Sequence, residues 1–564
     1  MPSALGDIEK ATGISQSVAS DPGYCELKEL EALLTKVTDR VIKYVQECRE
    51  SGGQAGPIPD PSVLSQMTNT HTPTGYGNGA DGVLGDVDLI LKNSIKTWNQ
   101  GFVHKLYSST NPIGVISELV LGAINNNAHV YSACPINSVV EIEMAKRLGE
   151  CIGWDPSECG GLTCPGGSSS NTLALIAARN FHFPGIKENG LVGSGSEGLG
   201  GIPLVFTSSH AHYSIEKAAM AAGVGLSCVV KVPCNSNGSM DPHALDLLLT
   251  LAKRQGYKPF FVNATAGTTV LGAFDPLDTI ADVCERHGVW MHVDGSLGGP
   301  ILFFPPPDSN IDDSSLTPLV VGSLDSLRAG LRRAESVSLN PHKLLGVPLQ
   351  CSYLLVRRGM PWLKQQVSLK ASYLFHDDFA DYDIGDASLG CGRRPDALKL
   401  WLAWRYYGDR GFSQRIERAL HLSSLLAEKA TSRKPILHVL KTVPFSTSVS
   451  LWYVPPGLRH LSHNELMKSQ DLDAATKKIH RMLLQRGKVL VDYSTAVEHE
   501  EINNLALDAQ NPKGCNDVRK IDIRPVMRHL PSFLRIPLNS PHMEESFIDE
   551  IVEEIEEVGD ILFK

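Results

Sequence analysis

Long apolar runs are missing from this 564-residue chain. Nowhere do eighteen or more apolar residues follow one another, which excludes an ordinary membrane-spanning helix. Met1 to Asp21 is polar, and no signal peptide is expected there. Basic clustering is missing too. The formal net charge is −10 and is spread along the chain, so no stripe of Lys and Arg offers the concentrated face that nucleic acid requires. The twelve cysteines form no CxxC pair, and Cys159 and Cys164 lack zinc-knuckle spacing. Carboxylates at metal-ligand spacing are also absent. These absences predict a cytoplasmic protein with reduced thiols, no metal, and neither nucleic acid nor membrane as a partner. What is present, 42% hydrophobic and 20% charged residues, suits a globular chain with a large core and more than one domain.

Residues 1–22 read as disordered. The segment 23–125 reads as mainly helical, and Leu27, Leu30, Leu34, Val37, Val41 and Val45 recur at helical spacing between Cys25 and Glu50. A lone amphipathic helix must cover its apolar stripe, on the main body or on a second subunit. From 126 to 415 strand-like runs alternate with helical ones. The strands are expected at Leu204–Thr207, Cys228–Val232, Phe260–Asn263, Val289–Val293, Ser336–Leu339 and Ser352–Val356. Helices are expected at Asn171–Phe181, Ser214–Ala222, Ala244–Arg254 and Leu277–Arg286. That alternation predicts an α/β domain with a mostly parallel sheet, whose ligand site lies at the carboxyl ends of the strands. Residues 416–564 read as a smaller domain, ending in a helix with Phe547, Ile548, Ile551, Val552, Ile555 and Val558 on one face. Pro305–Gly322 and Glu498–Asp517 read as surface insertions without regular structure.

Four segments carry chemistry. Asn340-Pro341-His342-Lys343 follows a strand, and a lysine at the end of a buried strand suits a Schiff-base amine that holds an aldehyde cofactor. Met291-His292-Val293-Asp294 ends another strand, where an acid could keep a pyridine nitrogen protonated. Cys164-Pro165-Gly166-Gly167-Ser168-Ser169-Ser170-Asn171 opens a helix, and its amides, hydroxyls and helix dipole could bind phosphate. Ser209-His210-Ala211-His212-Tyr213-Ser214 sets a histidine before a helix, where it could stack on an aromatic cofactor. Taken singly, each has a plainer reading: a surface lysine, a helix cap, a Ser/Asn cap, a core histidine.

Together and in this order, the four segments resemble the group II pyridoxal-phosphate decarboxylases, closest to the branch acting on glutamate, aspartate and cysteine sulfinate. The resemblance runs from about Asn99 to the C-terminus. It is supported by Phe261-Val262-Asn263-Ala264-Thr265-Ala266-Gly267-Thr268-Thr269, Gly272-Ala273-Phe274-Asp275-Pro276, Cys391-Gly392-Arg393-Arg394-Pro395-Asp396 and Phe533-Leu534-Arg535. It implies a fold of the aspartate-aminotransferase type (fold type I), a homodimer, and pyridoxal 5′-phosphate as cofactor. It also implies roles by position. Lys343 carries the cofactor, Asp294 pairs with its ring nitrogen, and His212 stacks on the ring. Ser168, Ser169, Asn340 and His342 hold the phosphate, and Thr269 lies near the ring hydroxyl. Arg535 grips the substrate α-carboxylate.

The sequence departs from the family in three places. Asp294 is followed by Gly295-Ser296-Leu297 where two alanines and an aromatic residue are usual. The loop His376–Asp386, after Tyr373-Leu374-Phe375, is shortened, with Phe379 near the position of a proton-donating tyrosine and Tyr382 a little later. That keeps an oxygen-consuming aldehyde synthase as a rival; a non-catalytic protein of this fold is a second, against which the intact Lys343, Asp294, His212 and Arg535 argue. In Phe102-Val103-His104-Lys105-Leu106-Tyr107, the stretch that contributes to the substrate side-chain pocket, Lys105 stands at a glutamine position. With Leu106 and Tyr107 it predicts an acidic, short substrate: aspartate, giving β-alanine, ahead of glutamate, giving 4-aminobutanoate, with cysteine sulfinate as a further candidate.

Overall fold

The computed structural model describes residues 27–50, 52, 54–68, 71–191, 199–305, 318–440, 443, 445–499 and 527–564. The stretch 1–22 expected to be disordered lies outside these residues, as do most of the two expected insertions. Both insertions need correction at one end. A helix, Pro318–Arg333, begins inside the first, opening on a proline whose fixed φ suits a first helical turn. At the start of the second, Glu498 sits in a strand.

Strands are numbered along the chain. β1 (Phe102–Val103) precedes a seven-stranded sheet built of β2 (Gly160–Cys164), β3 (Pro203–Ser208), β4 (Val229–Val232), β5 (Lys258–Thr265), β6 (Trp290–Gly295), β7 (Ser336–Leu339) and β8 (Ser352–Val356). Its spatial order is β2-β8-β7-β6-β5-β3-β4. The pairs β3–β4, β3–β5, β5–β6 and β6–β7 are parallel, and β8 is antiparallel to both neighbours. β3, β6, β7 and β8 are buried along their whole length. Helices cover the sheet, so both faces of these strands are buried, Ser336 and Ser338 of β7 included.

Local chemistry sets the helix limits. Pro242–Arg254 starts with Asp241 accepting the N–H groups of His243 and Ala244, and Leu277–His287 stops at Gly288 in the left-handed region (φ 61°). Leu277, Ile280, Ala281 and Cys284 of the latter join the core around the sheet.

The chain then forms β9 (Leu437–Val439), β10 (Ser448–Tyr453), β11 (Leu490–Ser494), β12 (Val497–His499), β13 (Met527–His529) and β14 (Phe533–Pro537). The second sheet has the order β1-β11-β14-β10-β9, while β12 and β13 make a separate ribbon. β1 thus ties the N-terminal segment to the C-terminal sheet. The helix Phe547–Phe563 buries the six apolar residues marked by its sequence period against this sheet. The helix Ala397–Ser432 runs through the region of residue 415, turned by Gly408 (φ 65°). The N-terminal helix, Leu27–Glu50, is tied to the helix Gly79–Asn93 by Arg40 Nε and Asp88 Oδ1 at 2.8 Å. Its Leu27, Leu30 and Leu34 stay exposed.

Candidate active site

A cavity of ≈ 180 Å³ opens at the carboxyl ends of β5, β6 and β7. Its wall brings together Lys343, Asp294, His212, Ser168, Thr269 and Asn340, with Gly167, Asn171, Ser214, Thr265, Gly267, Ser296 and Leu297. A larger hollow of ≈ 720 Å³, beside Gly160, Arg357 and Met360, lacks such a convergent set.

Lys343 is placed by a turn after β7, its N–H bonded to Asn340 O at 3.0 Å. Burial lowers the Lys343 pKa, Asp294 opposes that and Arg535 adds to it. A lowered pKa favours the neutral, nucleophilic amine that joins an aldehyde. Asp294 is buried at the end of β6. Burial alone would raise its pKa, yet Ser296, Lys343 and Asn171 together hold it below the usual carboxylate value. Ser296 N and Ser338 Oγ donate to Oδ1 at 3.0 and 3.2 Å, and Asn171 Nδ2 donates to Oδ2 at 2.9 Å. A fixed carboxylate of this kind holds a proton on a facing ring nitrogen. His212 accepts from Ser214 N at Nδ1 (3.2 Å), so its other nitrogen carries the ring proton, and burial lowers its pKa.

The phosphate end lies where the helix Gly167–His182 begins. First-turn amides have no helical acceptor and carry the positive end of the dipole. A Cβ on Gly167 would stand 2.7 Å from Ser296 Oγ and 2.8 Å from Asn340 Nδ2, so only glycine leaves this cradle open. An aldehyde-reactive lysine, an anchored acid and an anion cradle around one cavity fit pyridoxal 5′-phosphate. Two expected phosphate ligands are turned elsewhere. Ser169 Oγ reaches back to Pro165 O (3.4 Å), and His342 Nδ1 faces the backbone of Cys351, 2.5 Å from its carbonyl oxygen. Neither lines the cavity.

The residues expected to meet substrate form a second layer. Arg535, 7% exposed, donates from Nη1 to Thr269 O at 3.0 Å, and its buried Nε has no partner among the described residues. Lys105 does not line the cavity. Its Nζ lies 2.7 Å from Asp492 Oδ2, the oxygen that Arg535 Nη2 approaches at 3.4 Å. Leu106 O accepts from Asn539 Nδ2 (2.8 Å), and Tyr107 packs on Phe102, with ring centroids 5.7 Å apart. Asp492 went unmarked in the sequence, as did the network role of Asn171. Asn171 stood inside a noted motif; Asp492 carried no local signal. The fold also gathers His104, His480 and Asp492, with ligand atoms within 4.8 Å of one another, where the sequence shows no metal spacing; Lys105 already holds Asp492. Phe379 and Tyr382 both pack on Tyr131, at 4.8 and 5.4 Å between ring centroids, outside the cavity wall.

Sheet and cavity define an α/β enzyme of fold type I with a site that suits pyridoxal phosphate. The model of the pyridoxal-dependent decarboxylase conserved domain matches residues 61–454. An L-aspartate decarboxylase, dtxS4 of Metarhizium robertsii, is 40% identical over 457 residues, covering 81% of this chain and 84% of that protein. The acidic amino acid decarboxylase GADL1 of Mus musculus is 38% identical over 423 residues, 74% of this chain and 71% of that one. The crystal structure of mouse CSAD superposes with a TM-score of 0.78 at 31% identity, covering 95% of this chain and 99% of that one. The chain belongs to the pyridoxal-dependent decarboxylase family and is a carboxy-lyase with pyridoxal 5′-phosphate as cofactor. Among the described residues, no helix is long and apolar enough to cross a membrane.

Proposed function

We propose that the enzyme removes the α-carboxylate of an acidic L-amino acid, with L-aspartate preferred and β-alanine and carbon dioxide as products. The observation that carries this reading is the pair of cations, Arg535 and Lys105, tied to one carboxylate beside the Lys343 cavity, where Arg535 also holds the carbonyl of the wall residue Thr269. The names of the dtxS4 and GADL1 proteins support it. The bound cofactor supplies an electron sink for the carbon left by carbon dioxide. Lys343 would anchor that cofactor through its side-chain amine. Arg535, whose buried Nε has no partner among the described residues, is the group that would hold the α-carboxylate and so fix which bond breaks. Asp294 would hold a proton at the ring nitrogen, and His212 would cover the ring. Lys105 faces the side-chain carboxylate and shortens the space for it, which favours aspartate over glutamate. Cysteine sulfinate, close to aspartate in length, is the next substrate in line.

The working unit is a cytoplasmic homodimer. Exposed Leu27, Leu30 and Leu34, and exposed Val115, Ile116, Leu119 and Val120 on the helix Pro112–Ile124, are the kind of apolar surface that a second subunit covers. Light scattering at micromolar concentration tests this, and a monomer mass contradicts it. The substrate test compares specificity constants for aspartate, glutamate and cysteine sulfinate, with carbon dioxide and amine products measured. A clear preference for glutamate overturns the aspartate assignment.

A further inference from the structure

We propose that Asp492 is a specificity-determining residue, an internal carboxylate that competes with the substrate's carboxylates for Lys105 and Arg535. The inference rests on the acidic-substrate reading above. β11 and β14 are antiparallel, and Asp492 lies directly opposite Arg535, so both side chains stand on one face of the sheet. One oxygen, Asp492 Oδ2, serves both cations, with Lys105 Nζ at 2.7 Å and Arg535 Nη2 at 3.4 Å. The two cationic nitrogens are therefore no farther apart than these contacts laid end to end. Exposure rises outward, from 9% for the Arg535 side chain to 18% for Asp492 and 45% for Lys105. A ligand that bridges Arg535 and Lys105 meets the oxygen that both already hold, Asp492 Oδ2.

The other groups facing Asp492 do not supply charge at neutral pH. His104 Nε2 and His480 Nε2 stand 3.9 and 3.8 Å from Oδ1, and burial lowers both imidazoles from their ordinary value. What an incoming ligand meets is two cations and one carboxylate. A dicarboxylic substrate engaging both cations brings a negative group to within about 4–6 Å of Asp492, a range at which like charges disfavour one another strongly in a half-buried setting. Asp492→Asn removes the charge and keeps the shape and an oxygen for Lys105 and Arg535.

The holoenzyme and Asp492→Asn are compared on L-aspartate, with succinate, a dicarboxylate lacking the amine, as competitor. The expected result is a fall of about fivefold or more in KM for aspartate and in Ki for succinate, with kcat/KM rising in step. An unchanged KM and Ki overturns the proposal. A raised KM and Ki also overturns it, since Asp492 would then serve to position the two cations. Asp492→Ser gives the same reading if the first variant does not fold. If the wild type releases no carbon dioxide from any acidic amino acid, the functional reading fails, while the affinity of succinate for the two holoenzymes, followed by cofactor absorbance, still decides on Asp492.

Discussion

Asn171 donates from Nδ2 to Asp294 Oδ2 over 2.9 Å, while its Oδ1 accepts from Ser338 Oγ at 2.8 Å and faces His292 Nε2 at 3.0 Å. One amide thus locks the buried acid to residues of β6 and β7. Its removal takes away one of the donors that keep Asp294 ionised against burial. Asn171→Leu is expected to retain cofactor and to lose roughly 10–100-fold in turnover. Asp294→Asn should lose about 100-fold or more, because the ring nitrogen is no longer held protonated. Near-normal turnover in Asp294→Asn would show that the acid is structural.

Borohydride reduction followed by peptide mapping should place the cofactor on Lys343, the lysine in the cavity wall. Label on any other lysine sinks the assignment. Lys343→Ala should lose the yellow colour of the purified protein together with its activity.

Stability should fall in mild acid. In the folded chain burial lowers His104, His292, His342, His438 and His542 to about 4 each, against an ordinary 6.5. As pH falls through 6.5 the unfolded chain takes up protons on these groups and the folded chain does not until about 4. Their stabilisation is therefore complete above 6.5 and is lost as pH drops toward 4. Asp275, raised by burial to about 6, and His210, raised to about 8 against its burial by Cys234 and the carbonyls of Gly238 and Val497, work in the opposite direction, but the five outnumber them. Calorimetry should give a Tm several degrees lower at pH 5 than at pH 7 (roughly 2–4 °C per kcal/mol). An equal or higher Tm at pH 5 contradicts this.

Arg393 lies in one of the segments that carried the family resemblance, and its role is structural. Its guanidinium pairs with Glu141, a fully buried carboxylate that also accepts from Thr163 N (2.6 Å), Thr163 Oγ1 (2.8 Å) and Asn137 Nδ2 (2.9 Å). Arg393→Met leaves that carboxylate uncompensated and should cost about 3–5 kcal/mol in urea unfolding. A loss under about 1 kcal/mol would mean that Thr163 and Asn137 suffice.

By itself the sequence determined the sheet strands around the cofactor and the groups at their ends. β7 and β8 fall at the expected limits, Ser336–Leu339 and Ser352–Val356, because short runs rich in β-branched and apolar residues, bounded by turn residues, mark buried strands. Lys343, Asp294 and Ser168 were legible because each stands in a contiguous motif beside such a run. Tertiary structure alone decided which side chains those motifs turn inward. Ser169 and His342 belong to the right segments but bond to nearby backbone instead. It alone also made the substrate-side charges. Lys105 and Asp492 are 387 positions apart, and Asp492 meets Arg535 only because β11 and β14 pair in that register. A contact set by strand pairing across so much chain leaves no local period or spacing, so no reading of the residues in order could have found it.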